Sequence, residues 1–167
     1  MVVKSCIGLV EFKTVPVAVL AVDAMLKAAN VALAFAAPVC PGKYVAIVAG
    51  DVSAVKTSVD AAVAEGGAYC LSSQVLTNIH PDVLPALSGV AGDTPIRALG
   101  LLESMSAITA VRAMAIAVKA ANVKLMDVRL ARGLGGKSFI TVTGEISNVK
   151  TAIQACTELL EDQGDIV

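Results

Sequence analysis

The chain of 167 residues repeats itself, and this repetition constrains its fold more than any other feature. Residues 27–31 (KAANV) recur unchanged as residues 119–123, which lie 92 positions later. Further along, residues 50–53 (GDVS) recur as residues 144–147 (GEIS), now 94 positions later. One small gap between ordered matches is typical of a duplicated domain with a loop of variable length. The sequence therefore predicts two homologous domains, at residues 1–92 and 93–167.

Both repeats show the same alternation of short β-branched runs and longer segments with helical spacing of apolar residues. In the first repeat we predict strands at residues 4–12, 31–37, 44–49 and 68–76 and helices at 14–29 and 50–64. In the second repeat we predict strands at residues 97–103, 123–131 and 137–143 and helices at 106–121 and 145–160. The order βαββαβ predicts an α+β fold of two tandem ferredoxin-like domains, with helices covering one face of each sheet.

The composition excludes several classes of protein. Charged residues make up only 16% of the chain, and the net charge is −1, so the basic stripe of a nucleic-acid-binding protein is absent. The longest uncharged stretch, residues 66–81, carries several polar side chains, and the more apolar stretch 28–42 is too short to span a membrane. We find no signal peptide and expect a cytoplasmic protein. With so few charged residues, a monomer would expose much apolar surface to water. We therefore expect an extensive oligomer.

Three segments carry a resemblance to a known family. Residues 23–31 (DAMLKAANV), 41–43 (PGK) and 50–55 (GDVSAV) resemble the shell domain of bacterial microcompartments. Two copies in one chain resemble the tandem-domain shell proteins, and residues 40–43 and 78–89 resemble the T-type members from propanediol-utilisation microcompartments. The resemblance implies a structural shell protein and no enzyme. Three chains would form a flat pseudo-hexameric tile that joins other shell proteins edge to edge.

The repeated KAANV strings are the expected edges of this tile. The resemblance implies that Lys27, Asn30, Lys119 and Asn122 lie there. A lysine stem can lie along an apolar neighbour while its ammonium group reaches backbone carbonyls across a seam. In the alternative interpretation these are ordinary solvated residues, since lysine suits a helix C-terminus.

Four cysteines occur at wide spacing, without a C-x-x-C motif, so one chain holds no zinc or redox motif. Cys6 and Cys70 fall in predicted strands and Cys156 in a predicted helix, where we expect buried small apolar side chains. Cys40 is different, because it lies in a turn between two strands, next to Pro41. The second repeat has a glycine-rich loop and no cysteine at this place.

In the family these two loops line the central pore of the tile. The resemblance therefore implies these pore-lining residues: Pro41, Gly42, Lys43, Leu134, Gly135 and Gly136. A trimer would bring three Cys40 thiols around one axis, and the resemblance implies that they are metal ligands of one [4Fe–4S] cluster per trimer. Such a cluster takes four ligands, so one iron would bind water or an external ligand. It would serve electron transfer or cluster transfer across the shell, with a lumenal redox enzyme as partner.

Several alternatives stay open at this stage. The tile could be metal-free, with reduced Cys40 thiols around a pore for a metabolite, or could hold zinc through three thiolates and a water. A different class, a ferredoxin-like ligand-binding regulatory oligomer, also pairs such domains. Lys43 and Lys137 either tune the pore charge or are simply solvated. The lone His80 has no marked partner and favours a structural role. Glu11 and Glu103 occupy equivalent places and indicate a repeated structural feature.

Overall fold

A computed structural model describes residues 6–89, 95–160 and 166, and the chain divides into two compact units, Met1–Ile79 and His80–Val167. Over its described residues, the first unit has four strands and two α-helices, with a short 3-10 turn at Gly67–Tyr69. They are β1 (Cys6–Phe12), α1 (Val15–Ala28), β2 (Ala32–Val39), β3 (Lys43–Gly50), α2 (Val52–Gly66) and β4 (Cys70–Thr77). The strands form one antiparallel sheet in the order β2-β3-β1-β4. This confirms the predicted βαββαβ order, with element ends shifted by at most two residues.

The second unit repeats this architecture after a short helix. Its elements are α3 (Val83–Leu87), β5 (Ala98–Ser104), α4 (Ala107–Ala120), β6 (Lys124–Arg129), β7 (Ser138–Gly144) and α5 (Ile146–Leu160). The strands form an antiparallel sheet in the order β5-β7-β6. The last strand of the predicted βαββαβ order falls largely outside the described residues. Ile166 makes an antiparallel bridge to Ser104, at the place where Cys70 pairs with Phe12 in the first unit.

The division between the units differs from the predicted boundary at residue 92, which itself lies outside the described residues. The structure divides the chain after Ile79. The connecting segment, which we had assigned to the first domain, contains α3, and α3 packs against β6 of the second unit. Val83, Ala86 and Leu87 bury their side chains there, which explains why the segment belongs with the second sheet.

Close packing between helix and sheet depends on one glycine in each unit. A Cβ atom on Gly8 in β1 would lie 2.4 Å from Val59 Cγ2 in α2. A Cβ atom on the equivalent Gly100 in β5 would lie 2.7 Å from Val149 Cγ1 in α5. Both distances are far shorter than a van der Waals contact, so only glycine fits. All seven residues of β1 are buried, which makes this strand the centre of the first core.

None of the helices in the described part of the chain is both long enough and apolar enough to cross a bilayer.

Candidate functional site

The tip of the β2–β3 hairpin presents Cys40. Val39 pairs with Lys43 across the hairpin, so three residues, 40–42, form the loop. The Cys40–Pro41 peptide bond is cis, and Gly42 has φ = 76°, a conformation that favours glycine. Pro41 and Gly42 are exposed and Cys40 is partly buried. The turn therefore holds one thiol at a sharply folded tip.

The equivalent loop of the second unit joins β6 to β7 and contains no thiol. Gly133, Gly135 and Gly136 all have positive φ values, of 70°, 63° and 95°. Leu134 is partly buried and accepts a hydrogen bond at its carbonyl from the Lys137 N–H (3.1 Å). Gly135 is exposed and Gly136 is buried. The two loops, which the family resemblance predicts around a pore, therefore differ in both chemistry and backbone shape.

Two equivalent ion pairs fasten the strands behind these loops. Lys43 Nζ lies 3.1 Å from Glu11 Oε1, and Lys137 Nζ lies 3.0 Å from Glu103 Oε2. Glu11 is only 4% exposed and also accepts a hydrogen bond from Ser72 Oγ at 3.4 Å. Glu103 is more exposed, with 37% of its side chain accessible. Sequence reasoning marked the glutamates as a repeated structural feature but missed their lysine partners. The signal was present, because glutamate and lysine recur together in both repeats.

The other cysteines are structural. Cys6 and Cys156 are fully buried, as predicted, and Cys156 donates a hydrogen bond to the Ala113 carbonyl at 3.3 Å. Burial raises the pKa of the Cys6 thiol, and it raises the pKa of Cys156 to about 12, so both thiols stay protonated at neutral pH.

Cys70 corrects the sequence prediction. It lies in a strand, as predicted, but it is only partly buried, because β4 is at the edge of its sheet. Its Sγ donates to the Ser72 carbonyl at 3.7 Å. Burial raises its pKa, and the nearby Glu11 carboxylate adds to that effect.

Cys40 belongs to no metal-binding cluster in the part of the chain that the structure describes. Within residues 6–89, 95–160 and 166, no three histidine, cysteine, aspartate or glutamate side chains come together as a group that could hold a metal ion. These residues of one chain therefore do not form a complete metal site at Cys40. His80 has a local structural contact, because its Nδ1 accepts a hydrogen bond from the Asp82 N–H at 3.3 Å.

The residues predicted at a tile edge are exposed at the C-terminal ends of α1 and α4. Lys27, Asn30, Lys119 and Asn122 all have high solvent accessibility. Lys27 Nζ lies 2.6 Å from Asp23 Oδ2, one helical turn earlier. This ion pair is specific to the first unit.

A polar cavity of about 410 Å³ lies beside Asn122 in the second unit. It is lined by Pro95, Arg97, Asn122, Lys124, Thr143, Gly144, Glu145 and Asn148. Asn148 Nδ2 donates to the Asn122 carbonyl at 3.4 Å, and Arg97 pairs with Glu145. Sequence reasoning found Asn122 but missed the rest of the cavity, because its residues come from four separate segments.

The fold and its duplication define a class of protein. A family model described as the BMC domain matches residues 6–79 and 98–167, and the chain belongs to this family as a tandem-domain bacterial microcompartment shell protein. The chain is 37% identical over 164 residues to the "Bacterial microcompartment shell protein PduT" of Citrobacter freundii, a match that covers 98% of this chain and 89% of that protein.

Two further relatives differ in extent: one matches nearly the whole chain, and the other matches about half of it. A crystal structure of a microcompartment protein from Desulfitobacterium hafniense superimposes with a TM-score of 0.93 at 41% identity, over 99% of this chain and 92% of that one. The shell protein PduA of Citrobacter freundii is 38% identical over 82 residues, which are 48% of this chain and 88% of PduA. A match of this extent is what one repeat of a duplicated chain gives.

Proposed function

We propose that three copies of this shell protein form a pseudo-hexameric tile, in which the Cys40 thiols hold one [4Fe–4S] cluster on the threefold axis. The observation that carries the proposal is the difference between the two hairpin loops. One loop presents a partly exposed thiol at its tip, and the other contains none. In a trimer whose threefold axis runs beside the first loop, three thiols come together, one from each chain.

The trimer itself is supported by an apolar surface on α1. Val15, Val19 and Leu20 are exposed on this helix, and Val19 is 51% accessible. The equivalent of Val19 in the second unit, Val111 of α4, is fully buried. A second chain that packs against α1 would bury Val19, as its equivalent Val111 is already buried. Burial of a valine side chain contributes about 1.5 kcal/mol or more.

The donor set fits an iron–sulfur cluster. Thiolates are the usual ligands of such clusters, and three of them bind three irons and leave the fourth to a non-protein ligand. The chain's own residues restrict the geometry, since the Lys43–Glu11 ion pair fastens the strand that follows Cys40. When bound, the cluster supplies one-electron redox chemistry, or a cluster for transfer.

The biological role that follows is structural, with a redox site at the centre. The tile would lie in the shell of a microcompartment in the cytoplasm and join other shell proteins through the edges that hold Lys27, Asn30, Lys119 and Asn122. The axial site would pass electrons, or a cluster, across the shell to a lumenal redox enzyme. Membership of the shell family favours this role over a ligand-binding regulatory oligomer.

The test is anaerobic purification followed by iron and sulfide analysis and electron paramagnetic resonance. The wild type should contain about four irons per trimer. Cys40→Ser should lose the iron and the signal, while light scattering still gives the mass of a trimer. Cys70→Ser is the matched control, because it removes the other partly exposed thiol and should keep the iron.

Three results would contradict the cluster. Iron that persists in Cys40→Ser would remove Cys40 as a ligand. An iron-free wild-type trimer after anaerobic reconstitution would leave a metal-free tile, whose central opening passes a metabolite. A zinc content of about one per trimer would indicate the three-thiolate zinc site.

A further inference from the structure

We propose that the tile has two unlike, electrostatically complementary edges, and that the edge of the second unit binds the edge of the first unit in a second copy of this chain. We call the surface with Asp23, Lys27, Asn30 and Asp51 the first edge. We call the surface with Asp82, Arg97, Lys119, Asn122, Lys124, Glu145 and Asn148 the second edge. The inference rests on the proposed function, because it takes these surfaces as the places where tiles meet.

Both surfaces have the same backbone frame. In the first unit, the Asn30 carbonyl lies 3.5 Å from the position that a Cβ atom on Gly50 would occupy. In the second unit, the Asn122 carbonyl lies 3.2 Å from the corresponding position at Gly144. The helix end and the end of the third strand therefore meet in the same way in both units. Differences between the two edges come from their side chains.

The second edge has polar and basic side chains that the first edge lacks. Lys124 stands where the first unit has Ala32; its side chain is 57% exposed, and its Nζ lies 3.1 Å from Asp82 Oδ2. Asn148 stands where the first unit has Ala54, and it lines the cavity beside Asn122. Lys124 and Asn148, together with Arg97, make this edge polar and, counted with Lys119, predominantly basic.

The first edge has the opposite balance. Asp23 is 57% exposed, and its equivalent in the second unit is the buried Ala115. Asp51 is exposed, whereas its equivalent Glu145 pairs with Arg97. Acidic side chains therefore outnumber basic ones on the first edge, and the reverse holds on the second.

Charge complementarity selects the partner. Contact between two second edges would bring cations together, which disfavours that pairing, while contact between unlike edges is attractive. In a hexagon whose edges alternate in type, opposite sides are always unlike. Tiles in one common orientation can therefore join a first edge to a second edge at every contact, and the result is a continuous sheet.

The experiment reverses one charge on each edge of the full-length chain. Asp23→Lys and Lys124→Glu should each raise the protein concentration at which sheets form, by about tenfold. The double variant, Asp23→Lys with Lys124→Glu, should restore assembly, because its edges are again opposite in charge. The double variant also lacks the Asp23–Lys27 and Lys124–Asp82 ion pairs, so a recovery cannot come from either pair. Lys13→Glu is the matched control, since it changes an exposed lysine at the far end of α1.

Sheet formation is measured by light scattering and negative-stain electron microscopy at low salt, where charges are least screened. Single variants that assemble like the wild type, or a double variant no better than the singles, would overturn complementarity. A wild-type tile that stays dispersed at every concentration would overturn the choice of a second copy as partner. Trimer mass and iron content, measured on the same samples, report separately on the proposed function.

Discussion

Single residues decide how closely helix and sheet approach in this chain. Gly8 and Gly100 occupy equivalent positions, and at both a methyl group would overlap a valine of the covering helix. The repetition of glycine was visible in the sequence, since Gly8-Leu9 recurs as Gly100-Leu101. Its physical reason required the structure, because the clash involves α2, which begins more than forty residues later.

Gly8→Ala should therefore lower the free energy of unfolding by about 1–3 kcal/mol, the usual cost of overpacking a core. Urea denaturation of the purified variant measures the loss. The double variant Gly8→Ala with Val59→Ala is the control, because it removes the Val59 methyl group that clashes. Its loss should be smaller than the two single losses added together. Strictly additive losses would show that the Val59 contact is not the cause.

The ion pairs behind the loops show a second limit of sequence reasoning at this scale. Glu11 pairs in register with Val45, so Lys43 is its diagonal neighbour on β3. Diagonal neighbours in antiparallel strands are within reach of long side chains. The contact depends on β3 lying beside β1. The residue types alone do not predict that pairing.

The secondary-structure elements were the most predictable part of this structure. Proline after Thr14 and the glycines at the end of α2 fixed the helix ends to within a few residues. The two equivalent helix starts differ in capping: the Thr14 side chain makes no capping hydrogen bond, whereas Ser106 accepts one from the Thr109 N–H. What sequence pattern could not reveal was the different burial of equivalent helices. Burial depends on neighbours that periodicity does not identify.

The exposed face of α1 leads to a prediction at the element scale. Val19→Asp should prevent trimer formation without unfolding the chain, because burying an unpaired carboxylate costs on the order of several kcal/mol. Size-exclusion chromatography with light scattering gives the mass, and circular dichroism checks the fold. Val52→Asp is the control: Val52 is similarly exposed, at 48%, and an acidic residue suits the first turn of a helix. An unchanged trimer mass in Val19→Asp would exclude α1 from the interface.

At the scale of the whole molecule, duplication was predictable and the division between its halves was less so. The repeat of KAANV and its neighbours fixed two domains of one family, and the family match confirms both. The position of α3 depends on side-chain burial against β6, and a linker sequence rich in proline gives no sign of which half it will join.

Assembly of whole tiles supplies the last prediction. Lys27→Ala and Lys119→Ala should each reduce sheet formation while trimer mass and thermal stability stay unchanged. A hydrogen bond to a charged group contributes roughly 1.5–3 kcal/mol, so the concentration needed for sheets should rise about tenfold or more. Electron microscopy over a concentration series provides the measurement, with Lys13→Ala as the control. Normal sheets from both variants would show that these lysines do not join tiles to one another.

The unlike loops of the two units have a consequence for how such a site can arise by evolution. In a ring built from six identical single-domain chains, every mutation appears six times around the centre. Gene duplication and fusion halve that copy number, because each repeat can then change by itself. The proposed site needs three sulfur donors and an uncrowded centre, and a glycine-rich loop such as that of the second unit would leave the centre open. Fusion of two domains thus makes a threefold ligand set accessible through one cysteine codon.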